Sequence, residues 1–437
     1  DLALEHRPKV TVVTSCFNAE AHLRECVESV LRQTMSEWEL YLLDDGSTDG
    51  TRRLIADYVR RDSRVKAFYF DDTKGPYVRR NFAIERAGAA FIVIHDADDI
   101  MYPTKLERLY AAISEDDRLA VVGSFYRSFL DRFPREEHCE DVTVETSQER
   151  ILDNYRTHGL CDWCPHGMCI IRKRLFDEIG PYDVNPFGAD SLWLVKVLEY
   201  ASRDEAIRVK SIPDFLTLRR VHRNSQVGKL PTFDPRSRRH RYWQYCCQRL
   251  REARMRLNAN PVADVKAELR RIDCGDFVAK YGHLFAEWEN APLTAEVVAR
   301  FWKYLTQQFL RERFVPCIVA CEIVEDLVED IARRTRDYDV VRGASYFALG
   351  LFDEAREYLQ RGFDVHGTST SESLRNWCDA DKSLVETRAQ RIAVIRTVLS
   401  ATSVSEQPSQ DPPHGDSPDD ALGELERRFR AMPDNHA

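Results

Sequence analysis

"FIVIHDADDI", residues 91–100, joins an unbroken apolar run to a histidine and three acids: Asp96, Asp98 and Asp99. Phe91–Ile94 shows no polar alternation, which predicts a strand buried on both faces, as in a parallel sheet. Carboxylates this close repel one another unless a positive charge sits among them. In an extended segment Asp96 and Asp98 project to one side and Asp99 to the other. Two carboxylates converging at a strand end make a hard-oxygen site for Mn²⁺ or Mg²⁺, with a phosphate ligand to complete the shell. The alternative is a solvated acidic loop that caps the next helix.

Upstream, strand and helix patterns alternate. "KVTVVTSCF" is β-branched and apolar, and the segment after it places Leu23, Cys26, Val27, Val30 and Leu31 on one helical face. "WELYLLDD" is a second strand, "TRRLIADYVRR" a helix, "RVKAFYF" a third strand and "VRRNFAIERAG" a helix leading into the fourth strand. This order predicts an α/β fold: a mostly parallel sheet with helices on both faces. Ligands of such sheets bind beyond the carboxyl ends of the strands. Both acidic clusters, "LLDDGS" and "IHDADD", fall there. No G-x-G-x-x-G follows the first strand, which argues against a dinucleotide oxidoreductase.

Near residue 235 the periodicity turns almost wholly helical. The expected division is an α/β domain over 1–235, a helical domain over 236–400, and an acidic Pro/Ser-rich tail over 401–437 that reads as disordered. "GASYFALGLFDEAREYLQRGF" pairs two helices around Gly350 and Leu351, in the manner of a tetratricopeptide hairpin. An ordinary bundle pair fits as well.

The chain has 437 residues and a net charge of −9, which disfavours a nucleic-acid binder. No apolar run approaches the roughly 20 residues of a membrane span. The 12 cysteines show no disulfide-framework spacing. A start without a signal peptide pattern and reduced thiols both suggest a cytoplasmic protein.

The segments "VTVVTSCFNAEAHLRECVESVLRQT", "WELYLLDDGSTDGT", "GPYVRRNFAIERAGAAFIVIHDADDI", "MYPTKLERL", "GADSLWLVKVLEY" and "LRRVHRNS" occur in that order. Over residues 8–230 the chain thereby resembles the family 2 glycosyltransferases, inverting enzymes of GT-A fold. The resemblance implies a nucleotide-diphosphate sugar donor, with a UDP-sugar expected. It implies donor contacts at Ser15, Asp45, Arg80 and Asn81, with Asp45 on the base. It makes Asp96 and Asp98 the D-x-D pair, Asp98 the direct metal ligand, and Arg220 and His222 of the "R-x-H-x-x-S" segment diphosphate or metal partners.

The same resemblance places the catalytic base at Asp190 in "GADSLWL", with Ala189 where the family usually has Glu. Asp190 also suits a plain helix N-cap. In "CDWCPHGMC", Trp163 and His166 are acceptor-facing candidates, since an aromatic face suits a sugar ring. Cys161, Cys164, His166 and Cys169 offer a zinc alternative, at tighter spacing than ordinary zinc folds. The expected acceptor is a glycan or glycolipid. Alternatives are a peptide side chain, O- or S-linked, and a catalytically dead carbohydrate-binding scaffold. Self-association through the helical domain is also expected.

Overall fold

A computed structural model describes residues 7–134, 136–158, 163–185, 187–222, 237–260, 263–291, 295–327 and 338–405. The order opens β1 (Val10–Cys16), α1 (Leu23–Leu31), β2 (Trp38–Asp45), α2 (Thr51–Arg61), β3 (Val65–Phe70), α3 (Pro76–Arg86) and β4 (Phe91–Ile94). These four strands are parallel, in the spatial order β3-β2-β1-β4. Each element lies where the alternating pattern puts it.

Both faces of this sheet are covered, and successive residues divide between them. Val10, Val12, Leu40, Leu42 and Val93 pack with Leu23, Val27 and Val30 of α1 and Leu54, Ile55 and Tyr58 of α2. Their neighbours Val13, Tyr41, Leu43, Ile92 and Ile94 join a second core with Tyr77, Ala83 and Ile84 of α3. Two-sided burial explains why these strands read as continuous apolar runs.

Next come β5 (Ile100–Met101), α4 (Lys105–Ile113), β6 (Leu119–Leu130), β7 (Glu140–Val142), α5 (Gln148–His158), β8 (Ile170–Arg172), α6 (Arg174–Ile179), α7 (Ala189–Arg203) and β9 (Arg208–Val221). The sheet continues past β4 as β8-β6-β9-β5, and here β8 runs antiparallel to both β4 and β6, as β5 does to β9. The sheet is therefore mixed: the expected parallel part is real, and an antiparallel extension follows it. Among the described residues no helix is long and apolar enough to cross a membrane.

The chain separates into two compact units: residues 1–127, 141–220 and 241–289, and residues 128–140, 221–240 and 290–437. The expected boundary at 235 gives way here. In α8 (Arg238–Ala259), Tyr242, Cys246, Leu250 and Ala253 join the core beneath α3 and α7, with Leu269 of α9 (Val265–Arg270), Phe277 of α10 (Asp276–Tyr281) and Phe285 of α11 (Phe285–Glu289). Helical periodicity shows that a segment has an apolar stripe, not which core receives it.

The second unit holds α12 (Ala295–Leu310), α13 (Phe314–Leu327), α14 (Tyr338–Ala348), α15 (Phe352–His366), α16 (Ser369–Cys378) and α17 (Arg388–Ser405). α14 and α15 are the expected pair, turning at Gly350 (φ 74°), with Tyr346 and Tyr358 stacked between them at 5.5 Å. The last helix runs beyond the expected tail start at 401, and residues 406–437 lie outside the described residues.

Candidate active site

The site is organised by the first turn of α3. Pro76 opens the helix, where its missing N–H costs nothing. Gly75 before it has φ 89°, a backbone that side chains beyond glycine avoid. The turn so formed aims backbone N–H groups and three side chains, Tyr77, Arg79 and Arg80, at carboxylates from three distant segments.

The first carboxylate is Asp45, buried at the end of β2. It accepts from Lys74 N at 3.0 Å, from Gly75 N at 2.8 Å and from Arg79 Nε. Ser15, at the end of β1, donates to Pro76 O at 3.3 Å and so lies against the same turn.

The second is Asp96, just past β4. Its Oδ1 accepts from Arg80 at 2.5 Å, and its side chain is 47% exposed. Asp98 is half-buried, while Asp99 is buried and accepts from Arg220 N at 2.9 Å. Burial raises the Asp96 carboxyl above its ordinary range; Arg80 opposes this, and Asp98 and Asp190 add to it. Asp99 is pushed well up by burial and then by Asp98 and Asp96.

The repulsion within "HDADD" is met partly by the chain's own cations. Arg80 and Arg219 both act on Asp96. Lys105, fully buried in α4 and lowered to about 8 by that burial, feels Asp99 and Asp96 and donates to Gly167 O at 2.8 Å.

The third is Asp190, half-buried in the first turn of α7. Gly188, in the left-handed region, holds the N-cap position, so the plain-cap alternative for Asp190 is not met. Asp190 Oδ1 accepts from Ser191 N at 2.9 Å and from Tyr77 Oη at 2.8 Å. Arg80 is close enough to both Asp96 and Asp190 for each to raise its pKa. Ser15, Asp45, Arg80, Asp96 and Asp190 are thus gathered about one helix end.

Four expectations change. The Asn81 amide is engaged within the protein, donating to Tyr182 O at 2.8 Å and accepting from Tyr182 N at 3.0 Å, pinning that backbone. Arg220 braces the acidic loop, donating to Asp98 O at 2.9 Å and to Glu25 Oε2 at 2.5 Å. Trp163 is core, 6% exposed, with Nε1 donating to Ser211 Oγ at 2.7 Å. His166 is buried with Nε2 on the Tyr182 hydroxyl, and burial followed by Arg80's charge lowers it to about 3. Neither Trp163 nor His166 presents a face to an acceptor; His166 lies beneath Arg80 and Asp190 as a neutral ring. His222 is half-buried just beyond β9.

The residues fit a hard divalent cation in one respect. Asp96 and Asp98 are partly exposed carboxylates, whereas Asp99 is buried and turned to Arg220. No group of three or more His, Cys, Asp or Glu side chains that could hold a metal occurs among the described residues. Two protein carboxylates, with phosphate and water completing the shell, is the usual economy of Mg²⁺ sites. Of the zinc alternative, Cys161 lies outside the described residues. The Cys164 and Cys169 thiols lie against Pro165 O, and the His166 ring is bonded to Tyr182.

Tyr77, Arg79 and Lys105 escape a reading of the sequence. "PYVRRN" does carry a hint: Tyr77 and Arg80 are three apart and share a helix face.

Residues 11–180 match the family model described as glycosyl transferase family 2. The chain is 28% identical over 177 residues to the glycosyltransferase GlyG of Streptococcus pneumoniae, covering 39% of this chain and 58% of that one. It is 28% identical over 237 residues to the uncharacterised glycosyltransferase EpsJ of Bacillus subtilis, 52% of this chain and 66% of that one. It is 33% identical over 116 residues to the Escherichia coli UDP-Glc:alpha-D-GlcNAc-diphosphoundecaprenol beta-1,3-glucosyltransferase WfgD, 26% of this chain and 45% of that one. The chain spans about half the length of such relatives. The crystal structure of Staphylococcus aureus TarS 1–349 with UDP-GlcNAc superposes over 92% of this chain and 94% of its own, at 17% identity and a TM-score of 0.45.

Proposed function

We propose that the chain moves a sugar, with inversion, from a UDP-sugar to a hydroxyl of a glycan or lipid-linked glycan, a reading supported by the match of residues 11–180 to the glycosyl transferase family 2 model. The observation that carries this reading is the gathering of Asp45, Asp96 and Asp190 around one turn of α3, at the carboxyl ends of parallel strands. The relative acting on a diphosphoundecaprenol-linked sugar supports the choice of acceptor. Among the described residues the cysteines are thiols rather than disulfides, which agrees with a cytoplasmic setting.

Each group then has a task. Asp45, held rigid by its donors, accepts from the nucleobase, with Ser15 beside it. Asp96 and Asp98 would hold Mn²⁺ or Mg²⁺, and the ion would supply Lewis-acid stabilisation of the leaving diphosphate. Arg80 keeps the carboxylates on either side of it compatible at short range. Asp190 takes the proton of the acceptor hydroxyl as that oxygen attacks the anomeric carbon. The second unit supplies helical surface for acceptor recognition or self-association.

The test is UDP binding by calorimetry with Mn²⁺ and with chelator. Wild type is expected to bind UDP much more tightly with Mn²⁺, and Asp98→Ala to lose that gain together with sugar transfer. UDP affinity indifferent to chelator and to Asp98→Ala overturns the metal-assisted reading.

A further inference from the structure

We propose that Tyr77 is the positioning residue for Asp190, and that the first turn of α3 thereby sets the base relative to the metal-side pair. The proposal rests on the reading of Asp190 as general base. Tyr77 Oη donates to Asp190 Oδ1 at 2.8 Å across 113 residues of chain. Asp190 sits in the first turn of a helix entered through a left-handed glycine, and its local partner is the N–H of the next residue, Ser191. The Tyr77 hydroxyl, arriving from another element, supplies a fixed point.

The phenol itself is well restrained. Tyr77 is 5% exposed. Its ring meets Tyr182 at 5.9 Å, and the Arg80 guanidinium lies 5.2 Å from its centroid. Tyr182 in turn is clamped by Asn81 on its backbone and bonded to His166 through its hydroxyl. Asn81 and His166 thus have a purpose in the site other than the contacts expected of them: they hold the wall against which Tyr77 rests. On the other side of the same turn, Arg80 grips Asp96. A shift of α3 moves base and metal-side carboxylate together.

A base that must meet a hydroxyl within about 3 Å loses rate steeply when misaligned. Removing the Tyr77 hydroxyl is therefore expected to lower kcat about 10- to 100-fold. Donor KM and calorimetric UDP affinity should stay within about twofold, because the nucleotide side is held through Gly75 and Arg79 rather than Tyr77.

The experiment is a double-mutant cycle in the full chain, with thermal melts confirming that Tyr77→Phe, which keeps the ring, still folds. Kinetics are measured for wild type, Tyr77→Phe, Asp190→Asn and the double variant. A positioning residue that works through Asp190 gives a large kcat loss in the wild-type background and almost none when Asp190 is already Asn. Equal losses in both backgrounds, or lost UDP affinity in Tyr77→Phe, overturn the proposal. If Asp190→Asn is crippled while Tyr77→Phe is normal, positioning alone fails. If Asp190→Asn keeps near-normal turnover, the base reading fails and the proposal falls with it.

Discussion

Asp45 ends β2 and Asp96 follows β4, both on strands paired with β1, yet their surroundings differ. Asp45 is buried and takes three donors from its own chain: two backbone N–H groups and Arg79. Asp96 is half-exposed, beside Asp98, with Arg80 as its close cation. A carboxylate saturated by fixed donors is set before any ligand arrives, which suits a surface that recognises a neutral base by shape and hydrogen bonds. A partly exposed carboxylate with a second carboxylate beside it suits a cation that arrives with the substrate. Glu140, in the second unit, is a third case. It is fully buried, accepts from Val315 N at 2.7 Å, and its Oε1 has no hydrogen-bond partner among the described residues. Burial drives it up to about 7, with the Val315 amide and Arg388 opposing.

Breaking the saturated site has the largest expected effect. Arg79→Ala leaves Asp45 buried without its guanidinium, and losing one partner of such a pair costs about 3–5 kcal/mol. Denaturant unfolding measures the loss. UDP affinity should fall equally with Mn²⁺ and with chelator, and a loss that metal restores would erase the contrast between the two sites.

Glu140→Gln isolates burial without saturation. Unfolded, this carboxyl releases its proton near 4.5; folded, it keeps it to about 7. Between those values the folded chain binds more protons, so its stability falls as pH rises, and the penalty is complete above pH 7. At roughly 1.36 kcal/mol per unit the penalty is about 3 kcal/mol at most. Wild type should therefore lose stability relative to Glu140→Gln between pH 5 and pH 8 in paired thermal melts. A constant difference across that range would mean that Glu140 is ionised in the fold.

Arg80→Ala should show the smallest and most conditional change. Asp96 can turn to water, so the cost without metal is about 1–2 kcal/mol. Because the lost cation is one that Mn²⁺ can replace, the variant should gain more melting temperature from Mn²⁺ plus UDP than wild type does. A smaller gain would mean that Arg80 helps to build the metal site rather than standing in for its charge.

The parallel core was legible because two-sided burial leaves unbroken apolar runs, and because chain order dictates which strand ends carry "LLDDGS" and "IHDADD". The antiparallel extension was not. β9, "RVKSIPDFLTLRRV", mixes buried and exposed positions without a clean period, and its partners lie far away in sequence. Trp163 and His166 illustrate the same limit. An aromatic beside a His-Gly pair looks the same in sequence whether it lines a pocket or fills a core, and only the approach of Ser211 and Tyr182 decides which.

By itself, then, the sequence determined the alternating architecture, the family resemblance, and the acids at the strand ends and at the start of α7. All of these are local patterns, written in neighbouring residues and in their period. Tertiary structure decided the groups that govern those acids: Arg79 on Asp45, Arg80 on Asp96, Tyr77 on Asp190, Lys105 near Asp99, and the helices at 241–289 that join the first core rather than the second. Apart from Lys105 and Asp99, which are close in sequence, the side-chain pairs lie 16 to 113 residues apart along the chain. Hydrogen bonds act over about 3 Å in space and are indifferent to separation along the chain, so only the folded arrangement shows which donor each carboxylate receives.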